Sequence, residues 1–305
     1  MNRRGFLASA AGVAAGTAMS DLSMAHESHA KTGTVRDRLW LFGVPLNCEM
    51  TYLKNRSTMT PVEGVHYLGI PNALMIQVVN PQWAFFHSYE SPLQQYTVAL
   101  QSLKRFAWSI TGSGGYTTPG YRKEVIELAH ATPNCSGFYM DDFFFQEKKK
   151  ETTARSAALT VDELKAIRQQ AALGGKKLDI WVTYYTSLLD LQLQDYLDLI
   201  DVLTIWTWNS DELAKLESNF RRIEALGSHL KKTLGCYFFD YTKREPLTVD
   251  QMKHQCELGL EWLRQGKIEG MVFLGNCQLD QGFECVEWAR NWIQKVGNIA
   301  IYQTW

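Results

Sequence analysis

The sequence predicts a single α/β domain with the architecture of a closed (β/α)8 barrel. Short apolar segments alternate with amphipathic helical segments along the chain, there are eight such apolar segments, and they recur roughly every 25 to 40 residues. Alternation of this kind favours parallel βαβ units over a sandwich of antiparallel strands. Eight is the strand number of the α/β barrel, and a mature chain of this length is of the usual size for one such domain.

The predicted strands are short and rich in aromatic and β-branched residues, as strands buried on both faces are. They are Leu39–Val44, Ala73–Val78, Phe106–Thr111, Gly137–Asp141, Leu178–Tyr184, Val202–Trp206, Thr233–Phe239 and Gly270–Leu274. An open doubly wound sheet is the main alternative because it also alternates strand and helix. The barrel is favoured because no glycine-rich dinucleotide-binding sequence follows the first strand.

Start signals mark several of the intervening helices. Thr160 with Glu163, and Thr248 with Gln251, have the spacing of capping boxes, and Pro119 suits the first turn of a helix. Ser210 is predicted to open the sixth helix. The last helix, predicted at 281–296, carries one broad apolar stripe that should pack against the barrel wall.

The N-terminus predicts export. Arg3 and Arg4 precede Gly5-Phe6-Leu7 and a weakly apolar, small-residue segment, which resembles a twin-arginine signal peptide. Cleavage is expected after Ala30, with Ala25 as the alternative, so that residues 31–305 form the barrel domain. The expected partner of the precursor is the twin-arginine export machinery, and the expected location of the mature protein is periplasmic or secreted.

Composition limits the classes of partner. The formal net charge is −1, with no basic stripe for nucleic acid and no basic amphipathic helix for a membrane surface. The six cysteines match no zinc-binding spacing, and several lie on or beside predicted strands, so buried free thiols are at least as well supported as disulfides. We therefore expect no nucleic-acid partner, no membrane association after signal removal, no metal and no cofactor.

Polar and aromatic side chains follow the predicted strands. In a barrel the carboxyl ends of all eight strands face a common bowl, so residues far apart in sequence meet there. Aromatic faces stack on the apolar faces of sugar rings while carboxylates and amides hydrogen-bond hydroxyl groups, which makes a carbohydrate the expected substrate. The candidate catalytic residues are Asp141, Asp142, Asp240 and Glu49, and the candidate substrate-binding residues are Trp83, Tyr116, Tyr184, Tyr185, Trp206, Trp208, Tyr241 and Asn276.

The segment 136–144, Ser-Gly-Phe-Tyr-Met-Asp-Asp-Phe-Phe, is an apolar strand that ends in two carboxylates. It resembles the fourth strand of glycoside hydrolase barrels, including the chitinase-like, α-galactosidase-like and α-amylase-like groups. The resemblance implies that Asp141 or Asp142 is essential, and in the last two groups the matching Asp is the nucleophile. Adjacent strand residues point to opposite faces, so we expect one of the two carboxylates, Asp141 by preference, to face the bowl.

The pattern departs from each of these groups. The final Glu of the chitinase motif is absent, and strand five ends in Tyr184 and Tyr185 where the α-amylase-like group has Glu. The α-galactosidase-like group has an acid after strand six, where this chain offers only Asp211, near the start of the following helix. Asp240 stands where the α-amylase-like group has a carboxylate after strand seven.

Glycosidic hydrolysis needs two carboxyl groups, one to protonate the leaving oxygen and one to attack or to activate water. Asp141 or Asp142 with Asp240 or Glu49 would supply these residue types. The leading hypothesis is therefore an exported glycoside hydrolase. A noncatalytic carbohydrate-binding barrel and a divalent-metal lyase or isomerase are the alternatives.

Overall fold

The computed structural model describes residues 31–46, 53–77, 93–145 and 156–302. The predicted signal segment at 1–30 lies outside them. Eight parallel strands form a closed barrel in which each strand pairs with the next along the chain and the eighth pairs with the first. They are β1 Leu39–Gly43, β2 Asn72–Met75, β3 Arg105–Thr111, β4 Cys135–Met140, β5 Asp179–Tyr185, β6 Val202–Trp206, β7 Lys231–Tyr237 and β8 Gly270–Leu274. The predicted closed barrel is confirmed, and the open sheet is excluded.

Helices lie between the strands and around the barrel. They are α1 Pro61–Leu68, α2 Leu93–Leu100, α3 Pro119–Ala131, α4 Val161–Ala171, α5 Gln194–Leu197, α6 Leu216–Glu224, α7 Val249–Arg264, α8 Asn276–Leu279 and α9 Glu284–Val296. Short 3-10 turns occupy Arg36–Arg38, Ser113–Gly115, Leu173–Gly175, Thr186–Leu188 and Ser210–Lys215. None of the helices in the described part of the chain is long and apolar enough to span a bilayer.

The predicted helix starts are largely confirmed. Thr160 and Thr248 both form complete capping boxes, and Pro119 occupies the first turn of α3 after the Thr118 cap. Ser210 is not the cap of its segment: the side chain of Asn209 accepts from the amide of Asp211 at 2.9 Å, one residue earlier than predicted.

Within the described ranges, two antiparallel ribbons lie outside the barrel. Lys31–Thr34 pairs with Ala300–Tyr302, which joins the two ends of the described chain. Phe239–Asp240 pairs with Glu245–Pro246 to form a hairpin. The seventh strand had been predicted to run to Phe239, but β7 ends at Tyr237.

Aromatic layers fill the barrel. Trp40 and Trp181 meet at 5.0 Å in one layer, and the ring of Phe42 contacts those of Tyr139 and Trp206 at 5.9 Å in another. Since Trp40 and Phe42 are two residues apart on β1, both point inward. The Trp206 layer needs a glycine on β7: a Cβ at Gly235 would lie 2.2 Å from the Trp206 ring.

The five cysteines within the described ranges are buried free thiols. They are Cys135, Cys236, Cys256, Cys277 and Cys285. Burial raises the pKa of Cys135 to about 11 and that of Cys285 to about 12, so these thiols stay protonated and unreactive at neutral pH. Cys48 lies outside the described residues.

Candidate active site

An open cleft of about 680 Å³ lies at the carboxyl ends of β4, β5 and β6. Its size falls within the range of small-molecule sites, roughly 300–1,000 Å³. Asp142 follows β4, Tyr185 ends β5 and Trp208 follows β6, so three predicted site residues meet here. The other described lining residues are Thr186, Ser187, Asn209, Glu212, Lys215, Asn219 and Arg222.

Asp142 is held in this cleft by hydrogen bonds to both carboxylate oxygens. The hydroxyl of Tyr185 donates to Oδ1 at 2.5 Å, and the amide of Gly114 donates to Oδ2 at 2.8 Å. The glycine-rich turn after β3 therefore helps to hold this carboxylate in place, and Gly114 in that turn has a φ of 67°. Burial and the Asp142 charge raise the pKa of Tyr185 well above its ordinary value, so Tyr185 remains a neutral hydrogen-bond donor.

Asp141 and Asp142 both lie at the mouth of the barrel, which corrects one prediction. The expectation that only one carboxylate could face the bowl assumed a regular strand, but β4 ends at Met140. Asp142 has a φ of 45°, and this left-handed turn directs its side chain into the cleft. Asp141 instead is 6% exposed and accepts a hydrogen bond from the β5 side chain Thr183.

A hydrogen-bonded chain inside the barrel ends on Asp141. Trp206 Nε1 donates to the hydroxyl of Tyr139 at 3.1 Å, and that hydroxyl lies 2.9 Å from Thr183 Oγ1. Thr183 in turn donates to Asp141 Oδ1 at 3.0 Å. Because the single hydroxyl proton of Thr183 is donated to Asp141, Tyr139 must donate to Thr183, and the chain runs from Trp206 towards the carboxyl group.

Burial raises the pKa of Asp141 well above its ordinary value, and the charge of Asp142 adds to this, while the Thr183 hydrogen bond opposes it. Its buried position at the mouth of the barrel therefore favours the neutral form of the Asp141 carboxyl group.

The Asp141→Asn variant is expected to be more stable than wild type at neutral pH by about 1 kcal/mol, the ordinary size of a single stabilising change. A carboxyl group whose pKa is raised on folding contributes fully below its unfolded pKa, and that contribution is lost as the pH rises through the folded-state pKa. The advantage of the variant should therefore grow from about pH 4 upwards.

Denaturant unfolding of both proteins at several pH values measures this difference. The matched control is Asp162→Asn, because the Asp162 side chain is 92% exposed; its effect should not vary in this way. An Asp141→Asn variant whose relative stability falls between pH 4 and pH 7 would contradict the assignment.

Trp208 and Tyr241 form an aromatic platform beside the cleft. Trp208 is 45% exposed, and its ring stacks on that of Tyr241 with a centroid distance of 5.0 Å and an interplanar angle of 23°. Tyr185 contacts Trp208 edge-on at 5.7 Å. The amide of Gln278 donates to the Tyr241 hydroxyl at 2.6 Å and fixes this ring. An exposed, rigidly held indole face is well suited to stack on a sugar ring.

Three predicted substrate-binding residues are buried away from the cleft. Trp206 is 1% exposed and belongs to the barrel core. Tyr184 is fully buried against Phe144, on the opposite face of β5 from Tyr185. Asn276 is buried as well, and it exchanges hydrogen bonds with the backbone of Val44 at 2.7 and 3.1 Å. These side chains support the site and do not line it.

Asp240 serves as a loop anchor in this structure. It is 1% exposed, its Oδ1 accepts from the amides of Thr242 and Lys243, and its Oδ2 accepts from the amide of Ser210 at 3.0 Å. Burial would raise the pKa of Asp240, but the hydrogen bonds from Ser210, Lys243 and Thr242 outweigh it and lower this pKa. A carboxylate whose oxygens are committed to backbone amides is poorly placed to attack a substrate or to bind a metal.

Two candidates, Glu49 and Trp83, lie outside the described residues. Tyr116 is half-buried in the loop that contacts Asp142 through Gly114, but it is not among the described residues that line the cleft. In the described ranges, no three His, Cys, Asp or Glu side chains come together as a metal site would require.

Sequence reasoning missed the polar residues contributed by the segment after β6. Glu212, Lys215, Asn219 and Arg222 all line the cleft. Glu212 therefore places a second carboxylate in the cleft that contains Asp142. Lys215 forms an ion pair with Glu212 at 2.8 Å. The spacing of 215, 219 and 222 places these residues on one helical face, but only the docked orientation of the helix shows that this face meets the cleft.

Comparisons with known proteins identify the fold. Neither family models nor curated protein sequences give a match. Among solved structures, a protein assigned as an alpha-L-fucosidase from Bacteroides thetaiotaomicron aligns with 90% of this chain and 99% of its own, at 12% identity and a TM-score of 0.53.

Two chitinases are similarly related in structure. The Group IV chitinase of Ostrinia furnacalis covers 85% of this chain and 99% of its own, at 12% identity and a TM-score of 0.52. Active domain 2 of a thermostable chitinase from Pyrococcus furiosus covers 78% and 83%, at 14% identity and a TM-score of 0.50. At such identities the likeness shows the fold, which agrees with the glycoside hydrolase-like barrel expected from segment 136–144.

Proposed function

We propose that this protein is an exported glycoside hydrolase that cleaves an oligo- or polysaccharide in the cleft beside Asp142. The observation that carries the proposal is the position of Asp142: its carboxylate is oriented by two hydrogen bonds and opens onto a cleft that also contains the exposed Trp208 ring. The structural neighbours are described as a fucosidase and chitinases, one of them complexed with chito-oligosaccharides. Export rests on the twin-arginine-like sequence at Arg3 and Arg4.

Asp142 takes the role of nucleophile or base in this proposal. Its two oxygens accept hydrogen bonds from Tyr185 and Gly114, and these bonds hold the carboxylate in the lining of the cleft. In a retaining reaction it would attack the anomeric carbon, and in an inverting reaction it would take a proton from the attacking water.

Glu212 supplies the second carboxyl group. It shares the cleft with Asp142, and its side chain is partly exposed beside Lys215. The acid must donate a proton to the leaving glycosidic oxygen as the bond to the anomeric carbon breaks. Glu212 is preferred to Asp240 as the acid because the Asp240 oxygens already accept hydrogen bonds from three backbone amides. Glu49 remains the alternative acid.

A noncatalytic carbohydrate-binding barrel is the second candidate. It is favoured by one observation: β5 ends in Tyr185 where an acid would be expected, and Tyr185 is already engaged with Asp142. Such a protein would keep the Trp208 platform and bind glycans without cleaving them.

The test is a panel of aryl-glycosides and polysaccharides, assayed for both cleavage and binding with wild type and Trp208→Ala. We expect one glycan to be cleaved, and Trp208→Ala to weaken its binding by about 2 kcal/mol, roughly 30-fold in Kd, because a central aromatic contact is lost. The control is Trp288→Ala, whose ring stacks on Trp292 on the outer helix α9; it should leave affinity unchanged. Binding without cleavage would select the noncatalytic candidate, and no binding would exclude both.

A further inference from the structure

A second cleft lies at the same end of the barrel as the first. Its volume is about 530 Å³. It is bounded by the loop after β1 at Lys54, by the hairpin after β7 at Phe239 and Arg244, and by the start of α9 at Phe283. All of these segments follow the carboxyl ends of strands, where barrel proteins bind their substrates.

A row of touching aromatic rings joins the two clefts. Trp208, which lines the first cleft, stacks on Tyr241 at 5.0 Å, and Tyr241 contacts Phe239 edge-on at 5.5 Å. Phe239 then stacks on Phe283 at 6.0 Å with an interplanar angle of 23°, and both of these rings line the second cleft. The clefts therefore share one continuous wall.

The wall is held at its centre by Gln278. Its amide nitrogen donates to the Tyr241 hydroxyl, while its Oε1 atom is buried with no hydrogen-bond partner among the described residues. A fully buried amide that satisfies only its donor is costly, and such a cost is often retained at functional sites. Here it fixes the ring that lies between the two clefts.

The lining of the second cleft also fits a carbohydrate. Lys54, Gln281 and Glu284 add hydrogen-bonding groups around the partly exposed ring of Phe283, which the buried Phe239 supports from behind. Aromatic faces with dispersed donors and acceptors match the alternating apolar and hydroxyl surfaces of a sugar chain. A purely apolar ligand would leave these polar groups unsatisfied.

We propose that the second cleft is a distal binding site for the same saccharide chain that occupies the first, so that the protein acts on chains long enough to span both. This inference rests on the proposed function. It predicts that affinity rises with chain length, and that the part of the affinity gained with length depends on the second cleft.

The experiment uses β-1,4-linked oligosaccharides of glucose, N-acetylglucosamine and xylose, each from two to six units, with binding measured calorimetrically. Phe283→Leu removes the distal ring but keeps an apolar side chain against Phe239, and Lys54→Ala changes an exposed residue of the same cleft. We expect Phe283→Leu to weaken binding of the six-unit chain about tenfold, the loss of one aromatic contact, and to leave the two-unit chain unchanged. Trp208→Ala should weaken both.

The outcomes separate the two proposals. Loss with Trp208→Ala at all lengths and no loss with Phe283→Leu or Lys54→Ala at any length would overturn the distal site while leaving the proposed function intact. Absence of binding by wild type across the series and the glycan panel would overturn the proposed function itself. Thermal melting of each variant shows whether an affinity change reflects misfolding.

Discussion

Replacing Asp142 by asparagine is expected to lower kcat/KM for the cleaved glycoside by about 10²- to 10⁴-fold, the usual contribution of a positioned catalytic carboxyl group. Asparagine retains the size of the side chain and one oxygen acceptor. It cannot carry the negative charge that a nucleophile or base needs. The affinity for the glycan should change much less than kcat/KM, because the stacking surface is supplied by the Trp208 and Tyr241 rings and not by the Asp142 carboxylate.

Asp162→Asn is the matched control for this measurement. It is the same substitution at a side chain that is 92% exposed in the first turn of α4. Asp162→Asn should melt close to the wild-type temperature, and Asp142→Asn below it but still folded at the assay temperature, because one of the two hydrogen-bond donors to Asp142 loses its acceptor. An Asp142→Asn enzyme with wild-type kcat/KM would remove Asp142 from the reaction. If the wild type retains anomeric configuration, rescue of Asp142→Asn by azide with formation of an inverted glycosyl azide would assign Asp142 the nucleophilic role.

The fold follows directly from local patterns in the sequence. Buried strands must be apolar on both faces because helices cover the outside and other side chains fill the inside, so each strand stands out as a short apolar segment. Helix caps are equally local, since the Thr160 and Thr248 side chains bond amides three residues ahead. The strand ends were misplaced at β4, where Asp141 begins a turn, and at β7, where Phe239 belongs to the hairpin that follows the strand.

The roles of the candidate site residues are harder to predict from the sequence than the fold. Trp206 and Trp208 are two residues apart, so strand alternation would put both rings on one face, but alternation does not say where the strand ends. Because β6 ends at Trp206, the Trp206 ring belongs to the core and the Trp208 ring to the platform. Glu212 lies in a 3-10 turn whose orientation depends on packing, so no periodicity identifies it as a cleft residue. Tertiary contacts decide these roles.

The role of Asp240 also depends on tertiary structure, although its position after a strand was predicted correctly. A carboxylate after a strand is either free to act or tied to its own loop, and only the fold of the following turn distinguishes these states. Here the chain reverses between Asp240 and Arg244, where φ is 58°, and two amides of the turn point back to the carboxylate. The anchor in turn sets the positions of Tyr241 and, through Ser210, of the loop that carries Trp208.

Asp240→Ala is therefore expected to destabilise the protein by about 3 kcal/mol at neutral pH, because three backbone amides, that of Ser210 in a buried position, lose a charged acceptor. The pKa of Asp240 is lowered on folding, so its contribution is present above the unfolded pKa and is lost as the pH falls through the folded-state pKa. The difference from wild type should thus be full at pH 7 and shrink below about pH 4. Denaturant unfolding across this pH range measures it.

Asp162→Ala is the control, with an expected change within about 1 kcal/mol, the value of a carboxylate near a helix N-terminus. Glycan binding distinguishes an anchor from a catalytic acid. If Asp240 positions the platform, the folded Asp240→Ala protein should bind the six-unit chain more weakly, because the Trp208 and Tyr241 rings are no longer held together. Its pH–rate profile should keep the wild-type shape. A variant of wild-type stability that lacks one limb of that profile would return Asp240 to the catalytic role.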